Sequence, residues 1–341
     1  EGREPAVEAD ARKAVDREGN RLSRRMQRYA QVGTSVGGIA ARIGASYVFG
    51  SKDRQRNAAQ LAAALGGLKG PLMKVAQLLS TIPDAIPPDY AAELSRLQSQ
   101  APPMGWPFVR RRMAAELGPD WRGRFSEFGE TAAAAASLGQ VHKARVPGGR
   151  TVAVKLQYPE MQSAVEADLN QLRIVMTLYK RMDTALDTSE IVSEIGARLR
   201  EELDYGLEAR HMALYGSIFH GHPSIRVPEV LPELSTKRLL TMTWLEGRKL
   251  LDYKERPLEE RNAIARALFQ AWWYPFSHYA VIHGDPHLGN YTIFEDAGRP
   301  AGINLLDYGC IRTFEPKFVG GVIDLYRGLQ RKDRNLIVHA Y

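Results

Sequence analysis

Between Arg56 and Leu79 apolar residues recur at spacings of three and four, through Leu61, Leu65, Leu68, Leu72, Val75, Ala76 and Leu79. That period predicts an amphipathic helix, closed by Pro83, Pro87 and Pro88. A second helix is predicted from about Tyr90 to Gln98. Pro102, Pro103 and Pro107 mark a linker, and Phe108 to Leu117 reads as helical up to the stop at Gly118 and Pro119. From Phe125 the period falls to two. Phe125 to Gly129 reads as extended, and Leu138 to Val146 and Thr151 to Gln157 read as two strands around the turn Pro147-Gly148-Gly149-Arg150. Helical periodicity returns over Pro159 to Arg181, over Glu190 to about Phe219, over Arg261 to Ala280 and from about Pro316. Leu239 to Trp244 reads as a strand ended by Leu245-Glu246-Gly247, and short strands and loops follow Ile282.

This order divides the chain into an N-terminal tail and helical segment (1–55), a helical extension (56–120), a first lobe with inserted helices (121–246) and a second lobe (247–341). The fold class expected is α+β, with two lobes around a cleft. Residues 32–49, small and apolar with Arg42 as the one charge, suit helix packing or a membrane surface. Ala267 to Ile282 is apolar and aromatic, but Gln270, Ser277 and His278 interrupt it, so it reads as a buried helix and no transmembrane helix is predicted.

Composition changes this picture little. Hydrophobic residues make up 44% and charged residues 25%, ordinary for a globular protein with a sizeable core. The net charge of +7 favours an anionic partner: nucleotide, acidic lipid or nucleic acid. Nucleic acid is disfavoured, because the basic residues are scattered and no zinc-finger or RNP-like pattern occurs. Cys310 is the one cysteine, which excludes an internal disulfide and a cysteine metal cage and fits a reducing, cytoplasmic setting.

Four motifs carry chemistry. His283-Gly284-Asp285-Pro286-His287-Leu288-Gly289-Asn290 has the Asp and Asn spacing of kinase catalytic loops. There Asp285 accepts a hydroxyl proton or positions a nucleophile, and the Asn290 oxygen binds magnesium on the phosphates. The competing reading is a polar turn. Asp307-Tyr308-Gly309 leaves the apolar run Ile303 to Leu306 and supplies a second hard oxygen ligand, suited to Mg2+. Lys155, in Val152-Ala153-Val154-Lys155, sits on an apolar strand. Phosphates and a helix Glu would satisfy its ammonium, unless it points to solvent from an edge strand. Ala134-Ala135-Ala136-Ser137-Leu138-Gly139-Gln140 lies where a phosphate loop belongs. Alanine in place of most glycines keeps a small surface but gives up positive φ, which predicts a stiffer loop.

Together the alanine-rich loop, the His-x-Asp-Pro-His-x-Gly-Asn loop and the Asp-Tyr-Gly resemble the UbiB/ADCK family of atypical kinases. The similarity runs from about residue 56 to 330. Lys74-Val75-Ala76-Gln77 is similar to the family's Lys-x-Gly-Gln signature. Glu202-Leu203-Asp204, followed by Glu208, resembles its Glu-x-Asp motif and the Glu that pairs the strand lysine. Glu201 is an alternative to Glu202. The resemblance implies a bilobal protein-kinase-like fold with an N-terminal helical extension over the active site. Within it Lys74 and Gln77 share a helix face, and Lys74 meets the Glu-x-Asp acids. It also implies that Asp285, Lys155 and Asn290 are catalytic, and that residues 134–137, Gly139, Gln140, Lys155 and Glu208 hold ATP. By the same resemblance Asn290 and Asp307 hold Mg2+, and Lys74, Gln77, Glu202 and Asp204 are regulatory. Ala76 departs from the family Gly; its methyl favours helix by about 1 kcal/mol and crowds a close contact. The chain ends soon after Gly309, and the resemblance implies a longer C-terminal lobe.

The function implied is Mg2+-dependent ATPase or small-molecule or lipid kinase activity in ubiquinone (coenzyme Q) or related isoprenoid-lipid metabolism. The partners implied are ATP, a lipid or phenolic isoprenoid ligand, a peripheral membrane surface and ubiquinone-pathway enzymes. Two alternatives stand beside it: an aminoglycoside- or choline-type phosphotransferase, which shares the catalytic-loop style, and a lipid-binding pseudokinase chaperone with little turnover.

Overall fold

The computed structural model describes residues 104–136, 138–159, 161–180, 188–285 and 287–340. Residues 101–173 and 184–341 form one compact unit. Lys74 and Gln77, the helices predicted over Arg56–Leu79 and Tyr90–Gln98, the segment 32–49, Ser137 and Pro286 lie outside the described residues.

Helix α1 (Trp106–Leu117) comes first, followed by β1 (Glu127–Phe128), β2 (Ala134–Ala136), β3 (Gly139–Arg145) and β4 (Thr151–Gln157). Then come α2 (Met161–Lys180), α3 (Thr188–Glu202), α4 (Tyr205–Ile218), β5 (Ile225–Arg226), β6 (Leu239–Thr243) and β7 (Arg248–Lys249). The remainder comprises α5 (Leu258–Tyr279), β8 (Val281–His283), β9 (Tyr291–Asp296), β10 (Arg299–Leu305), β11 (Ile311–Thr313), α6 (Pro316–Arg331) and α7 (Arg334–Ala340). The upper sheet runs β1-β3-β4-β6, with β2 paired to β3. Below it lie a sheet of order β5-β10-β9-β7 and the antiparallel pair β8–β11. This is the two-lobed, kinase-like α+β arrangement that the sequence leads one to expect.

Strand alternation divides the upper sheet between two cores. Val152, Val154 and Leu156 point into a cluster with Phe108, Val109 and Met113 of α1. Ala153 joins Leu240, Met242 and the α4 residues Tyr205, Met212 and Tyr215 in a second cluster, which continues through Ile293, Ile303 and Leu305 of the lower sheet. One apolar core thus crosses both lobes, with α4 at its centre. Asn304, fully buried on β10, donates from Nδ2 to the Glu246 carbonyl at 3.0 Å and to Thr292 Oγ1 at 2.9 Å.

Three local expectations change. The helix predicted over Glu190 to Phe219 is two, because Asp204 ends one and caps the next. Its Oδ1 accepts from the Gly206 and Leu207 N–H groups at 2.9 and 3.1 Å, an N-cap that periodicity alone does not reveal. The alanine-rich segment is not an open loop: Ala134, Ala135 and Ala136 pair with Val141, Gln140 and Gly139 as a strand. Alanine, lacking glycine's access to positive φ, settles into extended backbone. The apolar stretch 267–282 buries only part of its surface. Ile264, Ala267, Ala271 and Pro275, three and four apart, face the core, while Phe269, Trp272, Tyr274 and Tyr279 are exposed. Among the described residues no helix is long and apolar enough to cross a membrane.

Candidate functional site

The site is built around Lys155. On β4 its parity places it with Ala153, on the face opposite α1. There Nζ donates to Glu208 Oε1 at 2.6 Å and to Asp307 Oδ2 at 3.3 Å, and lies 5.1 Å from the centre of the Tyr205 ring. Three positions far apart in sequence thus meet at one ammonium. Burial by itself lowers the Lys155 pKa, but the Asp307 and Glu208 carboxylates outweigh it and carry the ammonium well above its ordinary value. Burial pushes the Glu208 carboxyl up and Lys155 opposes that push. At 2.6 Å the ion pair is the form the geometry supports.

Helix α4 brings the glutamate. Tyr205, Glu208, Met212 and Tyr215, spaced three and four apart, form its buried face, so Glu208 enters the core beside Lys155. The neighbouring acids do other things. Glu201 accepts from Arg198 at 2.7 Å and from Arg312 at 3.2 Å. Glu202 lies against the Asp-Tyr-Gly turn: a Cβ on Gly309 would stand 3.6 Å from Glu202 Cγ. Asp204 is the helix cap described above.

The loop after β8 approaches from the lower lobe. The Asp285 N–H donates to His283 Nδ1 at 3.2 Å, so the proton on His283 is at Nε2, which donates to the Asp307 carbonyl at 2.8 Å. Asn290 Nδ2 donates to the Asp285 carbonyl at 3.0 Å, and the Asn290 carbonyl accepts from the Leu306 N–H at 3.0 Å. Asp307 Oδ1 accepts from the Gly309 N–H at 3.0 Å. The Asp285 and Asp307 segments are therefore laced together by His283 and Asn290. Burial first, then the two carboxylates, raise the Tyr291 phenol beside them to about 12.

The upper boundary is the β2–β3 hairpin. Gly139 is required by close approach: a Cβ there would lie 2.2 Å from the Leu156 carbonyl and 2.9 Å from the Tyr205 hydroxyl. The Gln140 side chain does not face Lys155, because neighbouring residues of a strand face opposite ways. Gln140 shares the parity of His142 and Ala144 and turns toward α1. Fully buried, it accepts from the Met104 N–H at 2.8 Å, donates to the Met104 carbonyl at 3.1 Å and donates to His142 Nε2 at 2.8 Å.

A divalent cation suits the donors. With Asn290 Nδ2 committed to Asp285, its Oδ1 is the atom left to face a hard cation, and Asp307 adds a carboxylate 30% exposed. Among the described residues no group of three His, Cys, Asp or Glu forms a cage. Such an ion would complete its shell with phosphate oxygens and water. Sequence reasoning missed His283, His211 and Tyr205. His283 opens a motif already singled out, whereas the other two carry no local signal.

Comparison with known proteins agrees with this geometry. Residues 96–341 match the ABC1 atypical kinase-like domain. The chain is 32% identical over 253 residues to the atypical kinase COQ8, mitochondrial, of Saccharomyces cerevisiae, covering 74% of this chain and 50% of the yeast protein. It is 32% identical over 272 residues to AarF domain-containing protein kinase 1 of Xenopus tropicalis, covering 79% and 52%. The chain spans about half the length of these curated relatives. A solved structure of Rv3197 with erythromycin, from Mycobacterium tuberculosis, is 34% identical, with a TM-score of 0.60 over 82% of this chain and 71% of that one. Joined to the motifs that meet at Lys155, these matches make the chain a member of the ABC1 atypical kinase-like family, the UbiB/ADCK group.

Proposed function

We propose that the chain is an ATP-binding atypical kinase with Mg2+-dependent ATPase or small-molecule or lipid kinase activity, serving ubiquinone or related isoprenoid-lipid metabolism. The observation that carries this reading is the meeting of Glu208 and Asp307 at Lys155 Nζ, with the Asp285–Asn290 loop tied to the Asp307 segment by His283 at the Asp307 carbonyl and by the Asn290 carbonyl at the Leu306 N–H. Lys155, cationic throughout the physiological range, holds phosphate oxygens, and Glu208 aims it. Asn290 and Asp307 hold Mg2+, which when bound neutralises phosphate charge and fixes the phosphate oxygens. Asp285 orients the attacking hydroxyl or water and accepts its proton. The hairpin from Ala134 through Ser137 to Gly139 covers the phosphates with small residues and backbone. Lys74, Gln77, Glu202 and Asp204 are regulatory, a role that rests on their resemblance to the family's signatures. The pathway rests on the relatives named COQ8, and the partners on the family. They are a phenolic or isoprenoid lipid as acceptor or ligand, a peripheral membrane surface and enzymes of the same pathway.

The test is nucleotide binding and ATP hydrolysis with and without Mg2+, and with and without cardiolipin-containing liposomes, comparing wild type with Asp307→Asn. Mg2+-dependent affinity should fall at least roughly tenfold in the variant, while affinity in EDTA stays close to wild type. Equal affinity of both proteins for MgATP would overturn the metal assignment. Binding without turnover under every lipid condition would favour the pseudokinase chaperone.

A further inference from the structure

Helix α4 reaches the Asp-Tyr-Gly turn through His211. His211 Nδ1 lies 3.1 Å from the Tyr308 carbonyl oxygen. A carbonyl only accepts, so Nδ1 carries the proton and donates. The Tyr308 side chain is fully buried, and its hydroxyl donates to the Leu305 carbonyl at 3.1 Å.

The geometry of a peptide plane links this contact to the metal-holding carboxylate. The Tyr308 carbonyl and the Gly309 N–H belong to the same rigid plane. That N–H is the donor that orients Asp307 Oδ1 at 3.0 Å. Gly309 has no Cβ to resist rotation of the plane. With its oxygen held by His211, the plane cannot turn its N–H away from Asp307.

We propose that His211 is a positioning residue for Asp307: by holding the Tyr308 carbonyl it fixes the peptide plane whose N–H aims the carboxylate. The proposal rests on the reading of Asp307 as a magnesium ligand. Burial first keeps the imidazole below its ordinary value, with Arg210 and Arg312 in the same direction; the Tyr308 carbonyl and Glu201 oppose. Nδ1–H persists in both the neutral and the cationic ring, so the grip does not depend on its titration.

Three variants of the full chain test it. His211→Leu removes the donor, His211→Asn places an amide N–H near the position of Nδ1, and His211→Gln places one a methylene further out. Two readouts are used: the Mg2+ concentration that half-saturates ADP binding, and hydrogen exchange at the Gly309 amide without nucleotide or metal. One backbone hydrogen bond corresponds to roughly a three- to tenfold effect. His211→Leu should raise the Mg2+ requirement and speed Gly309 exchange by that factor, His211→Asn should restore both, and His211→Gln should not. Wild-type values in His211→Leu, or equal behaviour of the Asn and Gln variants, would overturn the proposal. Should His211→Leu fail to fold, the Asn–Gln comparison decides. Should wild type bind ADP without regard to Mg2+, the functional reading fails and exchange alone decides. Slow Gly309 exchange in wild type and His211→Asn, with fast exchange in the other two, retains the positioning role; uniform rates remove it.

Discussion

Replacing Lys155 with Met keeps the length of the side chain and removes its charge. Lys155 and Glu208 side chains are 8% and 3% exposed, so the variant leaves an acid in the core without its cation. Breaking a buried ion pair from one side costs about 3–5 kcal/mol. In a domain of this size each kcal/mol moves the melting temperature by roughly 2–4 °C, which sets the expected drop at roughly 6–20 °C. The pH dependence follows from the causes of the Glu208 shift. Burial raises its carboxyl above the ordinary value of 4.5, Lys155 opposes, and without Lys155 the upward push dominates. A carboxyl whose folded pKa exceeds its unfolded one takes up a proton on folding, so stability rises as pH falls through that window. The deficit of Lys155→Met should therefore shrink between neutral pH and about 4.5, and adding Glu208→Leu should recover part of the loss at neutral pH. Thermal denaturation of wild type, both single variants and the double variant at neutral and mildly acidic pH measures this. A single-variant loss under about 1 kcal/mol, the scale of an exposed pair, would refute the reasoning. So would a deficit that grows on acidification.

Gly139→Ala should destabilise by about 3 kcal/mol in urea unfolding, because the new methyl would meet the Leu156 backbone oxygen, which cannot move without shifting β4. Asp204 separates capping from charge: Asp204→Ala should cost about 1 kcal/mol of stability, and Asp204→Asn, which keeps the accepting oxygen, only a few tenths.

What could be read in advance was whatever local order encodes. The apolar strand around Lys155 and the Asp285–Asn290 spacing needed no tertiary information to stand out. Strand parity, applied strictly, would also have turned Gln140 away from Lys155. The division between α3 and α4 was harder, because an Asp inside a continuous helical period looks like any exposed acid until its oxygen finds the Gly206 and Leu207 amides. His211 was illegible. Its partner, the Tyr308 carbonyl, is 97 residues away and is a backbone atom, which no residue-type pattern marks. Gly139 belongs to the same class, since its necessity comes from a β4 oxygen and a tyrosine on α4.

The buried Asn304 has a mechanical consequence where the chain passes from the upper sheet to the lower. Before that passage the Trp244 N–H is bonded to Thr151 of β4 at 3.0 Å; after it the Glu246 carbonyl is bonded to Asn304 of β10 at 3.0 Å. The surface pair between Glu246 and Lys143 yields easily by comparison. Only the backbone torsions of Trp244, Leu245 and Glu246 lie between the two anchors. At this crossing the chain changes sheets within three residues, anchored to the upper one before Leu245 and to the lower one after it.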